Sequence, residues 1–194
     1  MPNRDHTSLL VETGEDLTLI DCSANPIGKI LRLGLDPLRL RRILVTHAHT
    51  DHTYGFPSVI YSFRNYRPQR VEPLTVFAPR EALELLQCLS DSYGFGSSRA
   101  PLKFDLEYRE IPDTEGHVLV DAGGYQIQTT PVVHKEREVI AYRVDDRRKG
   151  RSMTYSADTE PCSSLTRLAD GTNLFIMEST LIGELDLPGH CTGE

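Results

Sequence analysis

Three histidines and an aspartate, His47, His49, Asp51 and His52, crowd into six positions at the end of the run "RRILVTHAHTDHTYG". An apolar strand end has no use for unpartnered imidazoles and a carboxylate, because burying each of them alone costs free energy. A divalent metal ion supplies the partner. In extended backbone His47 and His49 lie two residues apart and project to the same side, and Asp51 and His52 follow as the chain turns. One pair can therefore face one metal and the next pair a second. Imidazole nitrogen suits Zn²⁺ at about 2.0 to 2.1 Å, and carboxylate oxygen completes or bridges such a site. Two Zn²⁺ ions fit this nitrogen-rich set best, and related nitrogen and oxygen sites also accept Mn²⁺ or Fe²⁺. The competing reading, a solvated loop with Asp51 as a helix N-cap, does not account for so many ligand types directly after an apolar run.

Regular periodicity flanks the cluster on both sides. "SLLVE" and "LTLIDC", separated by a turn at Thr13, Gly14 and Glu15, form a hairpin. "PIGKILRLGL" opens with Pro26 and spaces Ile27, Ile30, Leu31 and Leu35 at helical intervals. "RILVT" is a buried strand that delivers the histidines. "GFPSVIYSFRNY" and "PREALELLQCLSDSY" are helical, with the strand "LTVFA" between them. After Pro101 the pattern turns to strands, "LKFDLEYREI", "HVLVDA", "YQIQTTPVV" and "VIAYRVDD", and "RRKG" turns into "RSMTYSAD". A helix from Pro161 to about Leu168 and the strand "NLFIM" follow. Mixed strands with interspersed helices predict an α/β chain, two sheets covered by helices, with His47, His134, Asp158 and Glu178 on strand-end loops.

Composition sets the bounds. With 194 residues and 39% hydrophobic content, the chain supplies one domain, residues 1–194, with a sizeable core. A formal net charge of -7 gives no general attraction for nucleic acid or an anionic membrane, so an anionic substrate must be drawn by a local site. The arginines of "FRNYRPQR", Arg64, Arg67 and Arg70, are candidates for binding its phosphate. Four scattered cysteines, a polar N-terminal segment and no apolar run of membrane-spanning length predict a soluble, cytoplasmic protein without a disulfide framework.

"THAHTDH" resembles the THxHxDH signature of the metallo-β-lactamase superfamily, and the resemblance continues along the chain. "VVHKEREVIAYRV" is similar to the segment carrying that family's next histidine ligand, and "YSADT" to its S-G-D-T. "IMEST" and "PGHCT" resemble the H-E-A-T and H-S-T motifs of its ribonuclease Z branch. The resemblance implies a four-layered αββα sandwich. It implies His47, His49 and His134 as ligands of one metal, Asp51 and His52 as ligands of the other, and Asp158 as the bridge. Read singly, His134 is a satisfied strand-end histidine, a reading that the upstream cluster reverses, and Asp158 has the alternative role of an N-cap for the helix after Pro161. His6 and His117 match no motif and are assigned to the surface.

The implied activity is metal-dependent hydrolysis, most directly of phosphodiester bonds in a small anionic molecule or a nucleic acid. Two zinc ions activate water and neutralise charge at the attacked group. Asp51 orients the attacking water while it ligates, and Glu178 and His190 form a proton relay to the leaving oxygen. Relative to the family pattern, the first strand with its G-T-G turn is missing, and so is the segment leading to a final histidine, so the fold reads as incomplete at the N- and C-termini. That predicts marginal stability or compensation by a homodimer. The alternatives carried forward are a truncated, catalytically impaired metal-binding protein and a hydrolase of small esters or lactones. The tight "RRKG" turn stands where many ribonuclease Z proteins insert a long arm.

Overall fold

The computed structural model describes residues 6–14, 16–180 and 188–191. The chain folds into two compact units, residues 1–110 and 111–194. In the first, β1 (Leu9–Thr13) and β2 (Asp16–Ile20) pair as an antiparallel hairpin. β3 (Leu40–Leu44), β4 (Leu74–Ala78) and β5 (Leu106–Glu110) then add in parallel, giving the sheet order β1-β2-β3-β4-β5. β2 and β4 at the middle of the sheet are mostly apolar and buried, whereas the edge strand β5, LEYRE, ends exposed. Leu17, Leu40, Ile43, Leu74 and Val76 are buried in one cluster with Val59, Ile60 and Phe63.

The connecting helices follow from local chemistry. α1 (Pro26–Arg32) starts where the Asn25 side chain accepts from Gly28 N at 2.9 Å, with Pro26 in the first turn. α2 (Thr50–Thr53) and α3 (Phe56–Asn65) are joined by Tyr54 and Gly55, whose backbone stays in the helical region. Gly55 is required by proximity. A Cβ there would lie 2.7 Å from the carbonyl oxygens of Cys22 and Ala24. Gly55 N donates to Cys22 O at 2.7 Å, and Cys22 N donates to His52 O at 2.7 Å, so the loop after β2 and the start of the helix are stitched backbone to backbone. α4 (Arg80–Ser92) buries Ala82 and Leu86.

The second unit is a five-stranded sheet of order β10-β9-β8-β7-β6. β6 (His117–Ala122), β7 (Tyr125–His134), β8 (Arg137–Asp146) and β9 (Arg151–Tyr155) are antiparallel, and β10 (Leu174–Ile176) joins β9 in parallel. The β7–β8 hairpin keeps register from Tyr125↔Asp146 to His134↔Arg137, which holds His134 at the last paired position before the turn. α5 (Ser163–Ala169) buries Leu165 and Leu168. Pairing fixes the boundaries more narrowly than hydropathy does: β3 ends at Leu44, and α5 starts two residues after Pro161. Among the described residues no helix is long and apolar enough to cross a membrane.

Candidate metal centre

Because β2, β3 and β4 are parallel, their C-terminal ends open on one edge, where ligand-binding loops of such sheets sit. The ladder runs just past the strands: Asp21 N donates to Leu44 O and Val45 N to Phe77 O, each at 2.8 Å. Residues 46–52 leave from that anchored point.

Asp21 organises them. It is fully buried, with a left-handed φ of 59°, and its Oδ1 accepts from Thr46 N at 2.9 Å and Thr46 Oγ1 at 3.0 Å. Its Oδ2 lies 2.7 Å from His52 Nδ1. A carboxylate only accepts, so His52 carries its hydrogen on Nδ1 and its lone pair on Nε2. Thr46 Oγ1 gives its own hydrogen to Asp21 and accepts from His47 Nδ1 at 2.9 Å, which sets the same tautomer on His47. This is the oxygen-braced arrangement that prepares histidine for a metal.

The ligand atoms of this stretch converge. His47 Nε2 and His49 Nδ1 lie 2.9 Å apart, a separation compatible with one cation about 2.0 to 2.1 Å from each. Asp51 Oδ2 is 3.6 Å from His52 Nε2, a second nitrogen and oxygen pair beside the first. His6 belongs in this neighbourhood as well as on the surface: its Nδ1 is 4.0 Å from Asp51 Oδ2 and its ring meets Tyr54 edge-on at 5.8 Å.

In the second unit the supports come from separate segments. His134 Nδ1 donates to Gly189 O, again placing the lone pair on Nε2. Gly189 has φ 92°, and its N donates to Glu160 Oε1. Glu178 Oε1 accepts from Thr159 N at 2.7 Å and from His190 Nδ1 at 2.9 Å. The rings of His190 and His134 meet edge to face with centroids 4.6 Å apart. Asp158 sits half-buried between Thr159, whose Oγ1 accepts from Val133 N at 3.2 Å, and Ala157, whose φ is 59°. His47 and His49 in the first unit, and His134 and Asp158 in the second, each carry an atom able to ligate a metal ion.

One expected contact is corrected. Arg70 cannot reach a phosphate, because it is only 2% exposed and is used inside the fold. Its guanidinium lies over the rings of Phe63, at 4.7 Å, and Phe104, at 5.4 Å, and donates to the carbonyls of Pro73 and Leu38. Burial, reinforced by Arg41 and opposed by Glu72, lowers its pKa to about 10. Arg64 is half-buried at the end of α3 and Arg67 is exposed, donating to Tyr66 O. Asp21, Thr46, Thr159 and Gly189 were not anticipated. Asp21 carried a signal, since it ends the apolar run "LTLI" as His47 follows "RILVT". Thr192 of the last motif lies outside the described residues.

Residues 16–194 match the family model described as a beta-lactamase superfamily domain. A ribonuclease Z of Methanothermobacter thermautotrophicus is 29% identical in an alignment covering 92% of this chain and 70% of the relative. The fold is similar to that of the short form of human tRNase Z, with a TM-score of 0.81 at 18% identity over 100% of this chain and 80% of the other. It is also similar to YhfI of Bacillus subtilis, a metallo-beta-lactamase fold protein, with a TM-score of 0.77 at 18% identity over 99% and 72%.

Proposed function

Because the chain belongs to the metallo-β-lactamase superfamily and is ribonuclease Z-like within it, we propose that this metal-dependent hydrolase cuts phosphodiester bonds with a pair of divalent ions, zinc in the first instance. In this reading His47, His49 and His134 hold one ion, Asp51 and His52 hold the other, and Asp158 ligates both. Bound there, the metal ions supply Lewis-acid polarisation of the phosphoryl group and activation of water. The chain's own residues do the rest. Asp21, Thr46 and Gly189 O keep hydrogen on Nδ1 of His52, His47 and His134, so that ring orientation and protonation are set before any ion arrives. Asp51 orients the attacking water. Glu178 fixes the hydrogen on Nδ1 of His190, and His190 passes a proton at Nε2 to the leaving oxygen.

The observation that carries this reading is that three histidines each have an oxygen within hydrogen-bond distance of Nδ1, which leaves Nε2 for a metal. Solvated surface histidines have no need of such bracing. The relatives named ribonuclease Z point to RNA as the phosphodiester. Elemental analysis for metal per chain, with turnover of bis(p-nitrophenyl) phosphate followed on the same sample, tests the proposal. Two metal equivalents, turnover abolished by a chelator and no turnover in Asp158→Ala are expected. Metal-free protein that turns over the diester, or Asp158→Ala that keeps its activity, would remove the proposal.

A further inference from the structure

The stretch between Asp51 and Glu72 has an unusual charge balance. In a chain of net charge -7 it holds three arginines, three tyrosines and no acidic residue. Arg70 is withdrawn into the fold, as described above, which leaves Arg64 and Arg67 as its outward cations. Neither forms an ion pair among the described residues.

The tyrosines are arranged by the helix. α3 turns Phe56, Val59, Ile60 and Phe63 into the core, so Tyr61 and Arg64 fall toward the outer side. Tyr61 is 59% exposed and Tyr54 41% exposed, unusual openness for side chains of that size. Because the backbone at Tyr54 and Gly55 is helical, positions 54 and 61 are two turns apart on one face, separated by about 10 Å of rise. Tyr54 is at the same time the ring against which His6 rests, beside Asp51. The row therefore starts at the metal-binding stretch and leads away from it, two exposed aromatic rings followed by two cations.

We propose that this face, Tyr54 and Tyr61 with Arg64 and Arg67, is the track for a single-stranded polynucleotide flanking the bond to be cut. Bases stack on the two tyrosines while the arginines meet the phosphates beyond Tyr61, the combination that proteins use to bind single strands without reading sequence. The cationic, acid-free surface supplies locally the attraction that the net charge denies globally. The inference rests on the phosphodiesterase reading for the identity of the reacting bond, and on unit 1 alone for the track.

The test is direct binding by fluorescence anisotropy, using the zinc-loaded protein and a short, fluorescein-labelled single strand with phosphorothioate linkages. Tyr61→Ala is expected to weaken binding about tenfold, the loss of one stacked base, whereas Tyr61→Phe retains it. Arg64→Gln is expected to flatten the salt dependence by about one phosphate contact. Unaltered thermal melts of these surface variants confirm that the loss is local. If the unaltered protein does not bind the strand, if Tyr61→Ala binds as tightly as the parent, or if Tyr61→Phe loses as much as Tyr61→Ala, the track is wrong. Turnover of bis(p-nitrophenyl) phosphate by the parent protein, run in parallel, reports on the hydrolase reading separately. A protein that cuts the small diester but ignores the strand loses only the track, and one that binds the strand without cutting the small diester loses only the hydrolase.

Discussion

Residues 46–52 and the set formed by His134, Glu178 and His190 both hold histidine by a hydrogen bond at Nδ1, and they differ in what stands behind that bond. In the first region a buried carboxylate, Asp21, accepts from the backbone and hydroxyl of Thr46 and from His52, and through Thr46 it reaches His47. One charged group in the interior thus serves two imidazoles. In the second region the acceptors are distributed: a glycine carbonyl for His134 and a glutamate for His190, with Glu160 holding the glycine in turn. A single point of support makes the first region sensitive to one substitution, and a distributed one makes the second region degrade in parts.

Asp21→Ala breaks the comparison most severely. It strands Thr46 N, Thr46 Oγ1 and His52 Nδ1 in the interior together, and the loss of a buried, hydrogen-bonded charge costs about 3 to 5 kcal/mol. Metal affinity falls by about 10- to 100-fold as the ligand rings lose their orientation. Chelator-competition titration alongside urea denaturation measures both. The corresponding change in the second region, Glu178→Gln, is expected to lower diester turnover while leaving metal content intact. Equal loss of metal from both variants would show that the two regions are braced alike.

A pair of glycine substitutions sharpens the contrast. In Gly55→Ala the new methyl meets two carbonyl oxygens at 2.7 Å, and backbone cannot step aside as a flexible side chain can. The expected cost is about 3 kcal/mol of stability, from overpacking where the helix approaches the loop after β2. In Gly189→Ala the φ of 92° is strained for any side chain, and the methyl approaches Lys135 Cγ at 2.9 Å and His134 Nδ1 at 3.0 Å. Its expected stability cost is about 1 to 2 kcal/mol, with a loss of metal affinity because the carbonyl is pushed off His134. Melting temperature and metal affinity measured on both variants separate the two mechanisms. A Gly189→Ala protein with unchanged metal affinity would mean that the carbonyl does not orient the ring.

The first region was legible from sequence because its chemistry is contiguous. "THAHTDH" places ligand types within one strand end and one helical turn, so spacing alone implied convergence. Its brace was not legible, since Asp21 is remote in sequence from His52 and becomes its neighbour only through the β2–β3 register. The second region gave no such local signal. His134, Asp158, Glu178 and His190 are each ordinary alone, and only their order beside a family pattern linked them. Element types followed from periodicity nearly throughout, because apolar strands and amphipathic helices differ in period. Arg70 departs from expectation for a physical reason: a cation in a polar run reads as solvated, and nothing in the run shows that Phe63 and Phe104 enclose it.

The smallest effect concerns the distributed region's margin, at Cys162. Partial burial raises its thiol pKa, yet hydrogen bonds from Ser164, the Leu165 backbone, Thr159 and the Val133 backbone outweigh that and leave it lowered. In Cys191 burial, with the nearby Glu178, raises the pKa instead. A lowered folded pKa means that the fold binds the thiolate more favourably than the unfolded chain does. The contribution to stability is therefore full above the ordinary thiol pKa and fades as pH falls through the lowered value. Iodoacetamide labelling followed by peptide mapping should show Cys162 reacting at lower pH in native protein than in urea, with Cys191 shifted the opposite way, and Ser164→Ala should move the Cys162 profile back up. A Cys162 profile identical in native and unfolded protein would show that hydrogen bonds spread over several segments do not stabilise a charge in this region.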